Sequence, residues 1–335
     1  MKNFIDHISI SNFKSIRNLT LEGLSRINLF IGKPNVGKSN ILEAFGVFSL
    51  PYLKYNSDKK LTNFIRADYL QELFFDGNTE NEIVISNNLG EFRLSYALKE
   101  ENSAKITSIE TKLLIKDVNV LVSIENDLTV SITGNDVSKN PFMYFSFKTN
   151  PKSKRNNVTS LLPPSGSNLI GIIESNPSLK KEIATLFKEY GLNLVFDRAS
   201  QELKIMKPIK GSEIFLIPYS STADTLQRVI FYKTAIVSNQ NSILIFEEPE
   251  AHAFPPYIVH ITQEIIESNS NQFVISTHSP YILDYFLENA LDELSIFMVD
   301  YQDGETIANK LSKEDMQDIK RYGIDLFTNY ETFLK

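Results

Sequence analysis

The stretch Gly32-Lys-Pro-Asn-Val-Gly-Lys-Ser39 constrains this chain more than any other. It stands between an apolar run, Ile27 to Ile31, and a helical pattern that begins Asn40-Ile41-Leu42-Glu43-Ala44-Phe45. Strand, glycine loop and helix in that order are the context that the phosphate-binding pattern G-x-x-x-x-G-K-[ST] requires. Gly32 and Gly37 bracket a loop whose backbone must curl around a phosphate chain, and a Cβ at either point would block the curl or the close approach. Residues Gly32, Pro34, Asn35, Val36, Gly37, Lys38, Ser39 and Asn40 are therefore the expected binding loop, whose backbone N–H groups, which Pro34 lacks, form a ring of donors. Lys38 can reach the β and γ phosphate oxygens, and Ser39 can offer its hydroxyl to Mg2+ at the positive end of the following helix. The ligand this implies is a nucleoside triphosphate with magnesium.

A second motif completes the site. Ser242-Ile-Leu-Ile-Phe246 reads as a buried strand of a parallel sheet and runs into Glu247-Glu248-Pro249-Glu250. Ligands of open α/β sheets bind at the carboxyl ends of the strands. That position suits Glu247 as a magnesium ligand, direct or through water, and Glu248 as the base that orients an attacking water. The next apolar strand, Gln272 to Ser276, ends in Thr277-His278-Ser279-Pro280, which brings His278 to the same kind of edge. A histidine there can donate to the γ phosphate or to the water. The alternative is a structural hydrogen-bonder, and the two glutamates favour the functional reading.

Together these residues resemble the ATP-binding-cassette type of ATPase head found in the SMC, RecF and OLD families. Ile8-Ser-Ile-Ser-Asn-Phe-Lys-Ser-Ile16 looks like the opening of such heads, as do Gly32 to Asn40, Glu247 to Glu250 with His252, and Thr277 to Pro280. The resemblance implies an α/β fold, a P-loop NTPase of the ABC head type, here with an inserted antiparallel β-rich lobe. It also implies ATP and Mg2+ as ligands, ATP hydrolysis, and closure of two heads into at least a dimer. In such heads a signature loop before a helix caps the nucleotide of a second subunit. The corresponding segment here is Pro218 to Arg228, followed by the apolar helix Val229 to Val237, and it departs from the pattern because its glycines are absent. Ser220 and Ser221 could still present hydroxyls to a γ phosphate, with Gln227 or Arg228 nearby. Equally, Thr222 or Ser221 could simply cap the helix, with Asp224 in its first turn.

Composition sets outer bounds. With 335 residues, 42% hydrophobic and 22% charged, the chain can bury a large core. No apolar run approaches the roughly 20 residues that span a bilayer, and Asp6-His7 interrupts the amino terminus, so neither a membrane anchor nor a signal peptide is expected. The chain contains no cysteine, which excludes disulfides and thiolate chemistry and fits the cytoplasm. A net charge of -7 argues against a surface built wholly for nucleic acid. The basic run Lys152, Lys154 and Arg155 reads as a solvated loop, with DNA contact as its alternative.

Between the first helix and the signature segment the periodicity turns from helical to alternating. The expected division is a head from residues 1–50 and 192–335 and an inserted β-rich lobe with a connecting helix from 51–191. Hairpins are expected at Glu82 to Ser86, Glu91 to Leu98, Lys105 to Ile115, Val118 to Ile124, Leu128 to Ile132 and Met143 to Phe147, and a helix around Ser178 to Tyr190 that Gly191 ends. The runs Leu192 to Phe196, Leu203 to Met206 and Ile214 to Ile217 should return the chain to the main sheet. No heptad repeat is present, so long coiled-coil arms are not expected. Asp300 and Asp303 flank an Asp-Gly turn and signal a hairpin rather than a second metal site. The resemblance then implies an ATPase and sensor component of a bacterial anti-phage system, paired with a separate effector, a nuclease or toxin. A RecF-like repair factor that contacts DNA and a nucleotide-gated scaffold with slow hydrolysis are the alternatives.

Overall fold

Ile27–Ile31 is buried at all five positions, which a strand tolerates only when both sheet faces are covered. The computed structural model that shows this describes residues 3–101, 104–149, 158–197, 199–200, 202–209 and 213–334. The basic run at Lys152, Lys154 and Arg155 lies outside the described residues. Two compact units are present. One is Met1–Tyr144 with Asn241–Glu248 and Ser270–Lys335, and the other is Phe145–Gln240 with Pro249–Asn269.

The first unit is organised by a six-stranded sheet in the order Glu305–Lys310, Leu294–Gln302, Ile27–Ile31, Gln272–Ser276, Ile243–Glu247, Phe142–Phe145. Ile27–Ile31 runs parallel to both of its neighbours, and Ile243–Glu247 runs parallel to Gln272–Ser276. The register sets Phe30 opposite Ser276 and Ser276 opposite Glu247. The glycine loop, the acidic motif and Thr277-His278 therefore leave the sheet at one rim. Phe30 stacks on Phe297 with centroids 5.1 Å apart and meets Phe45 edge-on at 6.2 Å, which seats the helix Lys38–Gly46 against the sheet.

A second sheet of this unit is antiparallel, in the order Ile16–Glu22, His7–Phe13, Ile83–Asn87, Gly90–Glu101, Ala104–Ile115. Three strands of the β-rich stretch thus continue the amino-terminal hairpin, because Ile83–Asn87 pairs with His7–Phe13. Val120–Ile124 and Val130–Gly134 form a two-stranded ribbon. Phe142–Phe145, expected among these hairpins, is instead an edge strand of the six-stranded sheet. All four of its residues are buried, as suits a continuous apolar run rather than an alternating one.

The tail folds largely as its turn chemistry dictates. Leu294–Gln302 and Glu305–Lys310 form a hairpin through Asp303 and Gly304, whose φ angles of 50° and 86° are those of the expected turn. The helix Lys313–Tyr322 begins with a capping box between Ser312 and Asp315 and ends at left-handed Gly323.

The second unit holds the helices Leu169–Ser175, Pro177–Lys188, Asp224–Ser238 and Pro255–Glu267 and an antiparallel sheet in the order Asn193–Asp197, Glu202–Pro208, Ile214–Pro218. These three runs were expected to rejoin the main sheet. They pair with one another instead, since their connections are too short for the crossover that parallel pairing needs. The helix expected to end at Gly191 spans Pro177–Lys188, with Asn176 accepting from the Leu179 amide at its start. Among the described residues no helix is long and apolar enough to cross a membrane.

One ion pair ties the amino-terminal hairpin to the helix Lys38–Gly46. The Lys14 ammonium, held in a left-handed turn, donates to the Glu43 carboxylate, which is 1% exposed. Burial pushes the Glu43 carboxyl upward, against the opposing pull of Lys14 and Arg66. A carboxyl raised in the folded state stabilises below its unfolded pKa, and that contribution is lost as pH rises. Lys14→Met is accordingly expected to lose about 3–5 kcal/mol of stability at pH 7 in urea unfolding. The deficit should shrink as pH falls and Glu43 takes a proton, and Lys14→Met with Glu43→Gln should recover most of it. A deficit independent of pH would contradict this account.

Candidate nucleotide-binding site

The loop between Ile31 and Lys38 is shaped from beneath. Gly37 has φ 101° and Asn35 φ 63°, so the chain turns twice through the left-handed region. A Cβ on Gly37 would stand 2.0 Å from Thr306 Oγ1, and one on Gly32 would stand 2.2 Å from the Val299 carbonyl oxygen. Both glycines are thus demanded by the carboxy-terminal hairpin under the loop, in addition to the backbone curl. Thr306 Oγ1 in turn donates to the Val36 carbonyl at 3.0 Å and contacts Ser15 Oγ at 2.6 Å. Asn40 Nδ2 donates to Ser15 Oγ at 2.6 Å, so its side chain serves this support, while Lys33, Pro34 and Asn35 are exposed.

Lys38 is 6% exposed, and its ammonium donates to the carbonyls of Gly32 and Lys33 at 2.8 and 2.7 Å. Burial draws its pKa down to about 8, against the opposing fields of Glu248 and Glu247. Ser39, next in the chain, donates its hydroxyl to Glu247 Oε1 at 2.5 Å across 208 positions of sequence. Glu247 Oε2 accepts from the Arg66 guanidinium and from the Tyr144 hydroxyl, the latter at 3.1 Å. Burial pushes the Glu247 carboxyl up, but these three donors outweigh it and hold the group below the usual carboxylate range. Burial and the negative fields of Glu247 and Glu43 raise the Tyr144 phenol well above its ordinary value, so it stays a donor.

Beyond Glu247 the chain turns sharply. Glu248 has φ 43°, and its amide donates to the Ser276 carbonyl at 3.0 Å, which bends the acidic motif over the end of the neighbouring strand. His278 Nε2 then lies 3.3 Å from Glu248 Oε1. Burial and the nearby Lys38 charge lower the imidazole pKa, with Glu248 opposing, so the ring is neutral near pH 7. Lys38, Ser39, Glu247, Glu248 and His278 therefore converge at one rim. The Ser39 hydroxyl and Glu247 carboxylate are the hard oxygen donors that magnesium takes, and they already touch. The residues fit the ion.

Ser220 and Ser221 belong to the second unit, in the 3₁₀ turn Tyr219–Ser221, with both residues exposed. The helix begins at Asp224, which stands in its first turn as the capping reading had it, with Ala223 as its cap residue and no side-chain cap. The reading of Thr222 or Ser221 as a cap is thereby corrected: Thr222 Oγ1 donates instead to the Tyr219 carbonyl at 2.7 Å. Gln227 is buried, and its amide donates to the carbonyls of Ser220 and Thr222, so it braces the turn from inside. Arg228 packs over the Phe147 ring at 4.6 Å and pairs with Asp224 at 3.8 Å.

Sequence reasoning missed Arg66 and Tyr144, which complete the shell around Glu247. Arg66 sits in an irregular stretch of short turns without hydrophobic period. Tyr144 carries a lone hydroxyl in the run Phe142–Phe145, a signal that could have marked a strand aimed at a polar site.

Comparison with known proteins agrees with this architecture. The model of the family described as "AAA domain, putative AbiEii toxin, Type IV TA system" matches residues 27–284. The DNA replication and repair protein RecF of Lactobacillus acidophilus is 34% identical over 62 residues, covering 18% of this chain and 16% of that one. An ATP/GTP phosphatase of Helicobacter pylori is 33% identical over 96 residues, 25% of each chain. Among the curated relatives aligned, the match spans 16% to 54% of their own length. In three dimensions an SMC head, solved bound to the C-winged helix domain of ScpA, superposes with a TM-score of 0.55 at 16% identity over 93% of this chain and 99% of that one, a likeness of fold. With a P-loop, an acidic strand end and a histidine on one rim, the chain belongs to this AAA-domain family, and its fold is like that of an SMC head.

Proposed function

We propose that the chain binds ATP with magnesium and hydrolyses it, and that its nucleotide-closed dimer is the ATPase and sensor component of a bacterial defence system with a separate effector. The observation that carries the catalytic part is the Ser39–Glu247 contact at the rim where buried Lys38 and the Glu248–His278 pair also meet. In this reading Lys38 exchanges the Gly32 and Lys33 carbonyls for phosphate oxygens, and the loop amides bind the rest of the phosphate chain. Ser39 and Glu247 would hold magnesium, which would supply positive charge against the phosphate oxygens. Glu248 orients and deprotonates water, and His278, kept neutral, donates toward the γ phosphate.

Exposed Ser220 and Ser221, braced by Gln227, are the surface we assign to the second subunit's nucleotide. A twofold dimer suits this, because one self-complementary surface builds two equivalent sites. The defence role is supported by the family description, which names a toxin and a TA system. A toxin or nuclease encoded separately would be the effector, in the cytoplasm. The RecF likeness favours a second reading, a DNA-bound repair ATPase. Turnover stimulated by DNA and falling steeply with salt would select it.

Glu248→Gln is expected to lower phosphate release by roughly 10² to 10⁴ while leaving ATP affinity near that of the wild type. The same variant should elute as a dimer with ATP and magnesium in gel filtration and as a smaller species without them. Normal turnover in Glu248→Gln rejects the assignment of the base. Affinity should also depend on pH through Lys38. Its ammonium is charged below about 8 in the free protein, so ATP binding should be flat below that pH. Above it, binding must bring a proton, and affinity should fall by up to about tenfold per unit. Fluorescent-nucleotide titrations between pH 7 and 9.5 read this directly, and a flat profile would show that Lys38 does not grip the phosphates.

A further inference from the structure

Arg66 is the charged neighbour of Glu247 that the proposed chemistry leaves without a task. Its guanidinium donates to Glu247 Oε2, while its Nε lies 3.7 Å from Glu43 Oε1 and its amide donates to the same oxygen at 3.3 Å. The two glutamates differ in what they would lose without it. Glu43 is 1% exposed but keeps the Lys14 ammonium as a partner. Glu247 is 15% exposed, and its other donors, Ser39 and Tyr144, are neutral. Among the groups that hydrogen-bond Glu247 in the described residues, Arg66 alone carries positive charge, while the Lys38 ammonium acts on it through space.

A divalent ion and a guanidinium on one small carboxylate repel each other, and in a partly dehydrated site that repulsion is weakly screened. Arg66 can leave. Its side chain is 65% exposed, and its backbone stays anchored to Glu43 through the amide. Tyr144 cannot follow, because its ring is buried and packs edge-on against Phe64 at 6.1 Å. We propose that Arg66 is the counter-ion of Glu247 in the metal-free site, that it yields the carboxylate when the divalent cation loads, and that Ser39 and Tyr144 keep the carboxylate aimed throughout. Arg66 is then a positioning residue that sets the threshold for metal entry. It holds the Glu247 carboxylate in place before magnesium arrives, and it weakens magnesium binding by the cost of its own displacement.

This inference rests on the reading of Ser39 and Glu247 as the metal pair, so its test begins with wild-type protein. Mn2+ affinity is measured by electron paramagnetic resonance on protein saturated with a non-hydrolysable ATP analogue. Failure of the wild type to bind the ion with nucleotide would dispose of the metal reading itself, apart from any role of Arg66. Given binding, Arg66→Gln should bind Mn2+ about 3- to 10-fold more tightly, the gain expected from removing a partly exposed competing charge. Tyr144→Phe should show no such gain, since it removes a neutral donor. Unchanged or weaker Mn2+ binding in Arg66→Gln overturns the proposal. A second measurement needs no variant: in wild-type protein with the analogue present, modification of Arg66 by phenylglyoxal, mapped by mass spectrometry, should be faster with Mg2+ than without. Equal or slower modification with Mg2+ overturns it as well.

Discussion

A carboxylate at the end of a buried strand stays ionised only where charge and hydrogen bonds outweigh the water it has lost. Glu247 meets that condition with donors from three separated segments. Ser39 comes from the start of the helix behind the glycine loop, Arg66 from an irregular stretch, and Tyr144 from the edge strand of the six-stranded sheet. Each donor requires its own element to be in place, so one anion couples the first helix, the sheet edge and the loop region of the first unit. The Lys14–Glu43–Arg66 contacts extend the same coupling to the amino-terminal hairpin. Two carboxylates with little exposure are thus held by donors from several elements of one unit.

The phosphate loop depends on a different constraint, the hairpin beneath it. Thr306 and the Val299 carbonyl occupy the space that side chains at positions 37 and 32 would need. Thr306 also hydrogen-bonds the loop at Val36 and joins it to Ser15. The loop is therefore held in its left-handed turns before any ligand arrives. A loop already ordered loses less conformational entropy on binding, so a larger share of each phosphate contact is available as affinity. The carboxy-terminal hairpin, far away in sequence, is in this sense part of the nucleotide site.

Local chemistry made much of the site legible in the sequence. The strand, glycine loop and helix around Lys38, the acids after Phe246 and the histidine after Ser276 each follow an apolar run, which reads as a strand covered on both faces. What escaped was the choice of partners. Phe142–Phe145 and the strands between Asn193 and Pro218 were recognisable as strands, yet nothing in their own residues says which neighbour they join. Thr222 looked like a helix cap, but it closes the preceding short turn instead and donates its hydroxyl to the Tyr219 carbonyl. Arg66 was illegible for a related reason. An arginine in an aperiodic stretch acquires meaning only when the fold sets it between two glutamates 204 positions apart, Glu43 and Glu247.

Two adjacent glutamates end the same strand, and the fold gives them opposite surroundings. Glu247 finishes the strand in register with Ser276, 15% exposed and wrapped by a hydroxyl, a phenol and a guanidinium. Those donors occupy its lone pairs and favour the ionised form, the state suited to a hard cation. Glu248, one residue on, is thrown into the left-handed region, 44% exposed, with the His278 ring 3.3 Å away. It retains access to water and faces the imidazole of His278. The sharp turn at Glu248 sets the two neighbouring carboxyl groups in separate environments, because an extended continuation would carry its side chain to the opposite face of the sheet. Backbone strain at a single residue thereby converts a repeated amino acid into two chemically distinct groups.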